Sequence, residues 1–397
     1  MESFDVVVLG AGPAGSVLAR LLAEKKHRVL LVEKDAYAGK TTACGGLFDK
    51  PYFDKYVDDP SVMEQHITRN VFRMPWGEVT YTCDQVTVKR RVFDRYLAER
   101  AADCGAVLRT RTKAVDWQVR GPGDATVTLH DLETKKKYDV RTKIIAFADG
   151  PHTLAKKNPL FDYTPNKPYW AYAYAYEVEG VATDPHEMII WLDKKLFPWG
   201  YGWVFPDSDV SNIGVGTIQA EMDKGIKVKD KLFAFMETYP GSAPLLKNRA
   251  VTDKKGGFIP MWLIDYYSDT SQVVLGDAAG MVSPLFGAGI DYAIDAAEAA
   301  ARTLDEALQS GRFDATFLAA YDQRLKQGFL KDLRKQMLVA KIIIKSLLFG
   351  GQWPVKILAV IAFGGKYTRW NKIKILLFPL LGRPRVKEED GALLSHK

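Results

Sequence analysis

Residues 10–15 read Gly-Ala-Gly-Pro-Ala-Gly, directly after the apolar run Val6–Leu9 and directly before Ser16–Lys26, which reads as helix. No other segment limits the possible fold so tightly. Val6–Leu9 is short, β-branched and stopped by glycine, which predicts a buried strand of a parallel sheet. Arg28–Val32 predicts the next strand, so a βαβ unit fits within about thirty residues. In such a unit Gly10 permits the tight turn, Gly12 lets the backbone approach a pyrophosphate, and Gly15 allows close helix–strand packing. The helix start, with Ala14 in its first turn, offers free N–H groups and a positive dipole end to phosphate. Glu33 ends the second strand 18 residues beyond Gly15. A carboxylate there accepts hydrogen bonds from ribose hydroxyls and repels a 2′-phosphate. Lys34 follows it. A dinucleotide site is therefore predicted on Gly10, Gly12, Ala14, Gly15, Glu33 and Lys34.

Composition supports a folded, globular chain. With 47% hydrophobic residues among 397, it is too apolar for disorder, and its length suits about two domains. Cys44, Cys83 and Cys104 are odd in number and lack CxxC spacing, which excludes a disulfide scaffold. The six histidines show no ligand spacing, so no metal site is predicted. Met1–Asp5 carries acids where the basic region of a signal peptide would stand, so a cytoplasmic location is expected.

Lys143–Ala148 and Val273–Leu275 read as further strands of the first sheet, and Asp295–Leu308 and Thr316–Leu325 as helices. The middle of the chain has another texture. Trp170, Tyr172, Tyr174 and Tyr176 alternate with Ala171, Ala173 and Ala175, a period of two that predicts a strand with one bulky face. His186–Leu192, Gly200–Pro206 and Asn212–Ile218 continue the pattern, with Asp207-Ser208-Asp209 as turn residues. The predicted architecture is α/β, or α+β taken whole. A Rossmann-type domain occupies 1–155 and 271–330, an antiparallel β-sheet substrate domain is inserted at 156–270, and a basic amphipathic helical region fills 331–397. Residues 70–88 are a further candidate for the inserted sheet.

Two later segments separate FAD from NAD. Gly276-Asp277 comes off a strand, and Pro284–Ile290, containing Gly287 and Gly289, leads into a helix. An aspartate at that strand end can bind ribityl hydroxyls, and the helix start at Gly289-Ile290 offers N–H groups to the pyrimidine edge of a flavin. Ala148-Asp149-Gly150 ends another strand. Together with the R-x-x-F-D string at Arg90–Asp94, these segments resemble the FAD-dependent family that shares the fold of para-hydroxybenzoate hydroxylase. The resemblance implies FAD contacts from Arg90, Asp149, Gly150, Gly276 and Asp277.

Thr42-Ala43-Cys44-Gly45-Gly46-Leu47 and the pattern P-x-x-Y-x-W-x-F-P at Pro198–Pro206 narrow the resemblance to the geranylgeranyl reductase family. That family saturates double bonds in prenyl chains of lipids, chlorophyll side chains and quinones. The resemblance implies that Cys44, Gly45 and Gly46 lie on the catalytic face by the flavin ring. It also implies that Tyr201 and Trp203, with Phe205, line the lipid cavity. The physics of these residues agrees: a prenyl chain has no polar handle, so its pocket must be apolar, elongated and aromatic. Gly200 and Gly202 are expected to clear one face of the strand for that chain. Alternating aromatics also occur in ordinary core, and a free cysteine is commonly a small buried hydrophobe. Alkene reduction needs a hydride, from reduced flavin, and a proton, for which Cys44 and Tyr201 are candidates. No glycine-rich second nucleotide site is present, so electrons are expected from an external donor, a ferredoxin or NAD(P)H.

The net charge of +7 is unevenly placed. Residues 331–385 hold 12 basic residues against Asp332 alone, leaving a mildly acidic body. Lys331, Arg334, Lys335, Lys341 and Lys345 share about a third of a helical wheel, with Leu338 intruding. The longest uncharged run there is ten residues, between Lys345 and Lys356, well below the ~18–20 needed to span a bilayer. Basic amphipathic helices carrying Phe349, Trp353, Phe363, Trp370 and Phe378 suit an anionic headgroup boundary, which predicts peripheral binding at the inner face of the cytoplasmic membrane. Covering the protein's own cavity is the other reading of these helices. Cations interleaved with aliphatics argue against nucleic acid. Two rival functions stay open. One is a class A flavin monooxygenase or halogenase on an aromatic substrate; Tyr201–Pro206 matches the halogenase pattern W-x-W-x-I-P only in part. The other is a non-catalytic lipid-binding or electron-carrying flavoprotein.

Overall fold

The computed structural model describes residues 1–75, 77–350 and 373. They form two compact units: 1–62, 88–171 and 258–334 make the first, and 63–87, 172–257 and the segment from 335 make the second.

A parallel sheet centres the first unit. Its strands run in the order Val107–Arg109, Val29–Val32, Ser3–Leu9, Lys137–Phe147 and Gln272–Val274, with Ser268–Asp269 antiparallel at the edge. Val6, Val7 and Val8 are fully buried, as expected of strands covered on both faces. Lys137–Phe147 is longer than the strand read from its apolar end. Its first half pairs with an antiparallel hairpin, Thr112–Gly121 and Asp124–Asp131. That hairpin was not anticipated, although Gly121-Pro122-Gly123-Asp124 is a recognisable turn.

Helix Pro13–Glu24 starts a turn earlier than Ser16 because Pro13 takes the first helical position and Gly12 caps it. Ala14, Val17, Leu18 and Leu22 form its buried stripe. Helix Ile290–Ser310 packs against it, presenting Ala293, Ala296, Ala297, Ala300 and Ala301 as buried small residues. Helix Ala315–Gln327 is capped by Asp314, whose carboxylate accepts the Phe317 N–H at 3.0 Å. Residues 150–169 make four short 3-10 turns rather than strand. Pro159, Pro165 and Pro168 remove the amide donors a sheet needs, so regular pairing begins at Ala171 instead of near residue 156.

In the second unit the order is Val251–Ile259, Ala171–Val178, Ser211–Ile218, Gly200–Pro206, Glu187–Trp191, Gln65–Met74 and Gly77–Thr87. Gly200–Pro206 runs antiparallel to both Ser211–Ile218 and Glu187–Trp191, and Gln65–Met74 runs antiparallel to Gly77–Thr87, whereas Glu187–Trp191 pairs with Arg69–Arg73 in parallel. Gln65–Met74 arrives from a separate chain segment and not through a hairpin, so nothing forces reversal there. Helix Val228–Glu237 covers one face through Val228, Leu232, Phe235 and Met236, in a core with Ile189, Trp191, Val204, Ile213 and Val215. Tyr172, Tyr174 and Tyr176 pack against this same core.

That packing corrects the expectation for Gly200 and Gly202. A Cβ on Gly202 would lie 2.6 Å from Phe197 Cζ and 3.0 Å from Phe235 Cζ, and one on Gly200 would lie 1.7 Å from the Gly216 carbonyl oxygen. These glycines admit the protein's own rings and backbone, not a substrate chain.

Helix Leu330–Gly350 carries the start of the basic region, and Leu338 is 59% exposed on it. The expectations for the aromatic residues from Phe349 onward lie outside the described side chains. Among the described residues no helix is long and apolar enough to cross a membrane.

Candidate active site

Close packing at the start of helix Pro13–Glu24 creates a cradle in the first unit. Gly10 has φ +94°, and a Cβ there would sit 2.4 Å from the Ala148 carbonyl oxygen. A Cβ on Gly15 would sit 1.9 Å from the Gly10 carbonyl oxygen. One on Gly276 would approach Ala14 Cβ to 3.1 Å, so each keeps the other small. Gly12 and Gly150 differ from these: a Cβ on either meets nothing within 4 Å. Space for a ligand opens at those two positions.

Carboxylates line the cradle. Glu33, 9% exposed, accepts the Ala11 N–H at 3.1 Å and the Asp35 N–H at 2.9 Å. Burial raises its pKa while these two N–H groups oppose the rise. A carboxylate has about four acceptor positions, so capacity is left for ribose hydroxyls. Lys34 is exposed beside it, and its charge reaches Asp149. Asp149 accepts hydrogen bonds from Thr153 Oγ1 and from the Leu154 N–H (2.7 Å), which aim it into the turn at Gly150. Burial raises its pKa as well, against those bonds. Asp277 is different. Burial raises it, the Arg90 charge opposes, and its carboxylate takes no hydrogen bond from the described residues.

Arg90 forms a two-pronged pair with Asp94, 2.7 Å at each prong, and Asp94 is 1% exposed. The Cys44 sulfur lies close to the guanidinium and accepts the Gly46 N–H at 3.3 Å. Gly46 has φ +70°, and a Cβ there would lie 1.9 Å from the Val88 carbonyl oxygen. Gly45, half-buried, lies between. The structure thus brings Arg90, Cys44, Gly45 and Gly46 together.

Gly287, with φ +68°, sits in a loop that the Ser283 hydroxyl organises by accepting the Leu285 and Phe286 N–H groups. Gly289 caps the helix begun by Ile290, and a Cβ there would come within 3.5 Å of Asp277 Oδ1. Sequence reasoning missed Ser283 and Thr153. Ser-Pro at 283–284 and Thr153, four residues past Asp149, were the available signals. It also missed Asp291, in the first turn of this helix, whose Oδ1 accepts the Asp49 N–H at 3.3 Å.

The cradle fits FAD: an open helix start, the Glu33 carboxylate with acceptor capacity left, and half-buried Asp277, whose carboxylate takes no hydrogen bond from the described residues. Among the described residues no group of side chains could hold a metal ion.

The second unit carries the aromatic wall. Tyr201, Trp203 and Phe205 project from one face of their strand, with ring centroids 5.8 Å and 6.0 Å apart. Trp203 Nε1 donates to Asn212 Oδ1 at 2.9 Å, which removes its polarity from the surface. Gly214 is what makes room: a Cβ there would lie 2.1 Å from Trp203 Cζ2. Gly216 pairs with Tyr201 and borders Ala173, whose Cβ would be 3.9 Å away. Gly214 is therefore covered by the Trp203 ring, and Gly216 with Ala173 adjoins the aromatic ladder on the face away from helix Val228–Glu237.

Asp291 yields a pH prediction. Burial, with Asp49 and Asp295 nearby, pushes its carboxyl up to about 8. The folded chain keeps a proton that the unfolded chain releases near pH ~4, so this group's contribution falls as pH rises from there toward 8. Asp291→Asn is expected to raise the unfolding midpoint relative to wild type at pH 8 and to lose most of that advantage at pH 5. An unchanged difference across that range would contradict the assignment.

Comparison with known proteins follows this geometry. The geranylgeranyl reductase catalytic domain family matches residues 170–258, and the FAD dependent oxidoreductase family matches residues 5–74. Digeranylgeranylglycerophospholipid reductase of Methanosarcina acetivorans is 30% identical over 357 residues, covering 86% of this chain and 85% of that protein. The protein of that name from Methanocaldococcus jannaschii is 29% identical over 359 residues, 87% and 88% of the two chains. Among solved structures, a geranylgeranyl bacteriochlorophyll reductase-like protein from Thermoplasma acidophilum superimposes with TM-score 0.77 at 23% identity, covering 86% and 87%. The myxobacterial chondrochloren halogenase gives TM-score 0.73 at 21% identity over 86% and 82%. These two structures share the fold, and the extended sequence match carries the family: the chain belongs to the geranylgeranyl reductase family of FAD-dependent oxidoreductases.

Proposed function

We propose that the protein saturates carbon–carbon double bonds in prenyl chains of a glycerophospholipid. The observation that carries this reading is the second unit's sheet face. There Tyr201, Trp203 and Phe205 form an aromatic ladder seated over Gly214, with Gly216 and Ala173 beside it, and the Trp203 N–H is already occupied by Asn212. Such a surface offers contact area without polar demands, which suits a chain of isoprene units.

Gly10, Gly12, Ala14, Gly15 and Glu33 hold the dinucleotide part of FAD in this reading, with Lys34 beside it. Asp149, Gly150, Gly276 and Asp277 hold its middle, and Gly287, Gly289 and Ile290 its flavin edge, with Arg90 fixing the Cys44 segment. Reduced FAD, when bound, supplies the hydride for one alkene carbon. The neighbouring carbon needs a proton, and Cys44 donates it. Its sulfur lies beside the Arg90 guanidinium and accepts the Gly46 N–H, which hold it in position. Tyr201 belongs to the wall and is the alternative donor. Electrons come from outside the chain, from a reduced ferredoxin or NAD(P)H.

Anaerobic incubation with dithionite and a geranylgeranyl lipid is expected to give products heavier by steps of two mass units, with ferredoxin and NADPH compared as donors in parallel reactions. Oxygen uptake driven by NADPH and stimulated by a phenol or indole, without lipid reduction, would favour a monooxygenase or halogenase instead. Replacing Cys44 by Ala is expected to lower turnover about 100-fold while FAD content is kept, the usual scale for losing a positioned proton donor. Unchanged turnover would transfer that role to Tyr201 or water. The basic segment from Lys331 supports binding to an anionic membrane surface where such a lipid resides. Co-sedimentation with anionic vesicles at low salt is the expected result, and its absence would remove the membrane from the scheme.

A further inference from the structure

Cys44-Gly45-Gly46 runs directly into a short strand, Leu47–Asp49, and a seven-residue helix, Lys50–Tyr56. A helix that short has little stability of its own, so contacts with its neighbours decide where it lies. Two longer helices of the same unit hold it. One is Arg90–Asp103: Phe48 and Phe53 are buried, and the Phe48 ring lies 5.0 Å from that of Phe93. Arg90, which stands beside the Cys44 sulfur, opens this helix. The other is Ile290–Ser310, where Asp291, Asp295 and Glu298 fall at i, i+4 and i+7 and so share one face. Each takes a donor from the short segment. Asp291 accepts the Asp49 N–H at 3.3 Å, and Asp295 accepts the Tyr52 hydroxyl, 3.0 Å from each carboxylate oxygen. Glu298 accepts the Tyr56 hydroxyl at 2.8 Å and the Lys55 ammonium at 2.6 Å. Burial and the adjoining carboxylates push both phenols up, so both hydroxyls stay donors.

The three contacts are not equivalent. Asp291 meets a backbone N–H that any residue but proline would supply at position 49, and Glu298 is reached by two donors. Asp295 receives a hydrogen bond from Tyr52 alone among the described residues, so this pair is where a single deletion is felt most. The face it grips belongs to the helix whose start, Gly289-Ile290, forms the flavin edge of the proposed cofactor site. A shift of Lys50–Tyr56 along that face would move Cys44 relative to the flavin edge, and Gly45 and Gly46 carry no side chains to stop it. We propose that Asp295 and Tyr52 are positioning residues, which fix the Cys44–Gly46 segment relative to the helix start that meets the flavin.

Their role toward the flavin rests on the proposed function, whereas their hold on Cys44 is measurable without it. Cys44, Cys83 and Cys104 are all free and half-buried, so iodoacetamide labelling of the holoenzyme, with mass spectrometry of each cysteine peptide, reports on separate parts of the fold at once. Tyr52→Phe deletes the hydroxyl alone. Labelling of Cys44 is expected to be about tenfold faster in this variant, the scale of one lost hydrogen bond to a charged group, with Cys83 and Cys104 unchanged. Turnover on a geranylgeranyl lipid is expected to fall about tenfold at unchanged KM, as misplacement of a reacting group does. Asp295→Ala is expected to match Tyr52→Phe, and the two combined to be no worse than either, because both remove one interaction. Asp295→Asn keeps an acceptor and is expected to stay close to wild type. A merely structural pair would speed labelling of all three cysteines together and lower the unfolding midpoint; that result, or an unchanged Cys44 rate, overturns the inference. Wild type unable to reduce the lipid overturns the proposed function, while a rise confined to Cys44 still upholds the hold of Tyr52 and Asp295 on its segment.

Discussion

Backbone contact at three glycines sets the geometry on which the first unit depends. Gly15 lies on the carbonyl of Gly10, Gly10 lies on the carbonyl of Ala148, and Gly276 lies on Ala14. Through these contacts the ends of three neighbouring strands, Ser3–Leu9, Lys137–Phe147 and Gln272–Val274, converge on one helix start. Side chains at these positions would wedge the strands from the helix and misplace the carboxylates that follow them. Glu33, Asp149 and Asp277 are each carried a residue or a few beyond a strand end of the same sheet. Their mutual placement is therefore a property of the sheet, and precision comes from rigid elements rather than loops.

Such sites are legible in sequence because close approach leaves glycine as the permitted residue, and a run of glycines between an apolar strand and a helix is conspicuous. Gly10, Gly15, Glu33, Asp149 and Asp277 could be read for that reason. Ser283, Thr153 and Asp291 could not. Ser283 accepts from backbone N–H groups just after it, Thr153 donates to the Asp149 carboxylate, and Asp291 accepts the N–H of Asp49, far away in sequence; only the folded chain selects these partners. The hairpin Thr112–Asp131 escaped for another reason. It is polar on its outer face and extends a strand whose buried end alone looked like sheet.

The second sheet shows how periodicity can be right while its meaning is reversed. Alternation correctly identifies Gly200–Pro206 and Ala171–Val178 as strands, and it separates Tyr201, Trp203 and Phe205 from the glycines. Which face is open cannot be read from alternation, because period two labels two faces without naming their neighbours. Phe197 and Phe235 fill the Gly202 side, and Tyr172, Tyr174 and Tyr176 turn toward the same helix-covered core. The small residues beside the ladder lie on the adjacent strand instead, where Gly214, under the Trp203 ring, and Gly216 had attracted no notice beside the longer aromatic pattern.

Charge in the cradle follows from the same packing. Burial raises Glu33, Asp94, Asp149 and Asp277 together, and Arg90 is the cation set against Asp94 and, at longer range, Asp277. Two cations, Arg90 and Lys34, stand against these four carboxyl groups, and hydroxyl or N–H donors of a ligand would share the remaining negative charge. A ligand rich in hydroxyls relieves that condition, so its binding energy and the folding stability of the first unit are thermodynamically linked. The arrangement also explains why Arg90 faces Asp94 and Cys44 rather than solvent. A guanidinium held by a buried carboxylate is fixed in place, and a fixed cation can act on the sulfur beside it without first losing side-chain entropy.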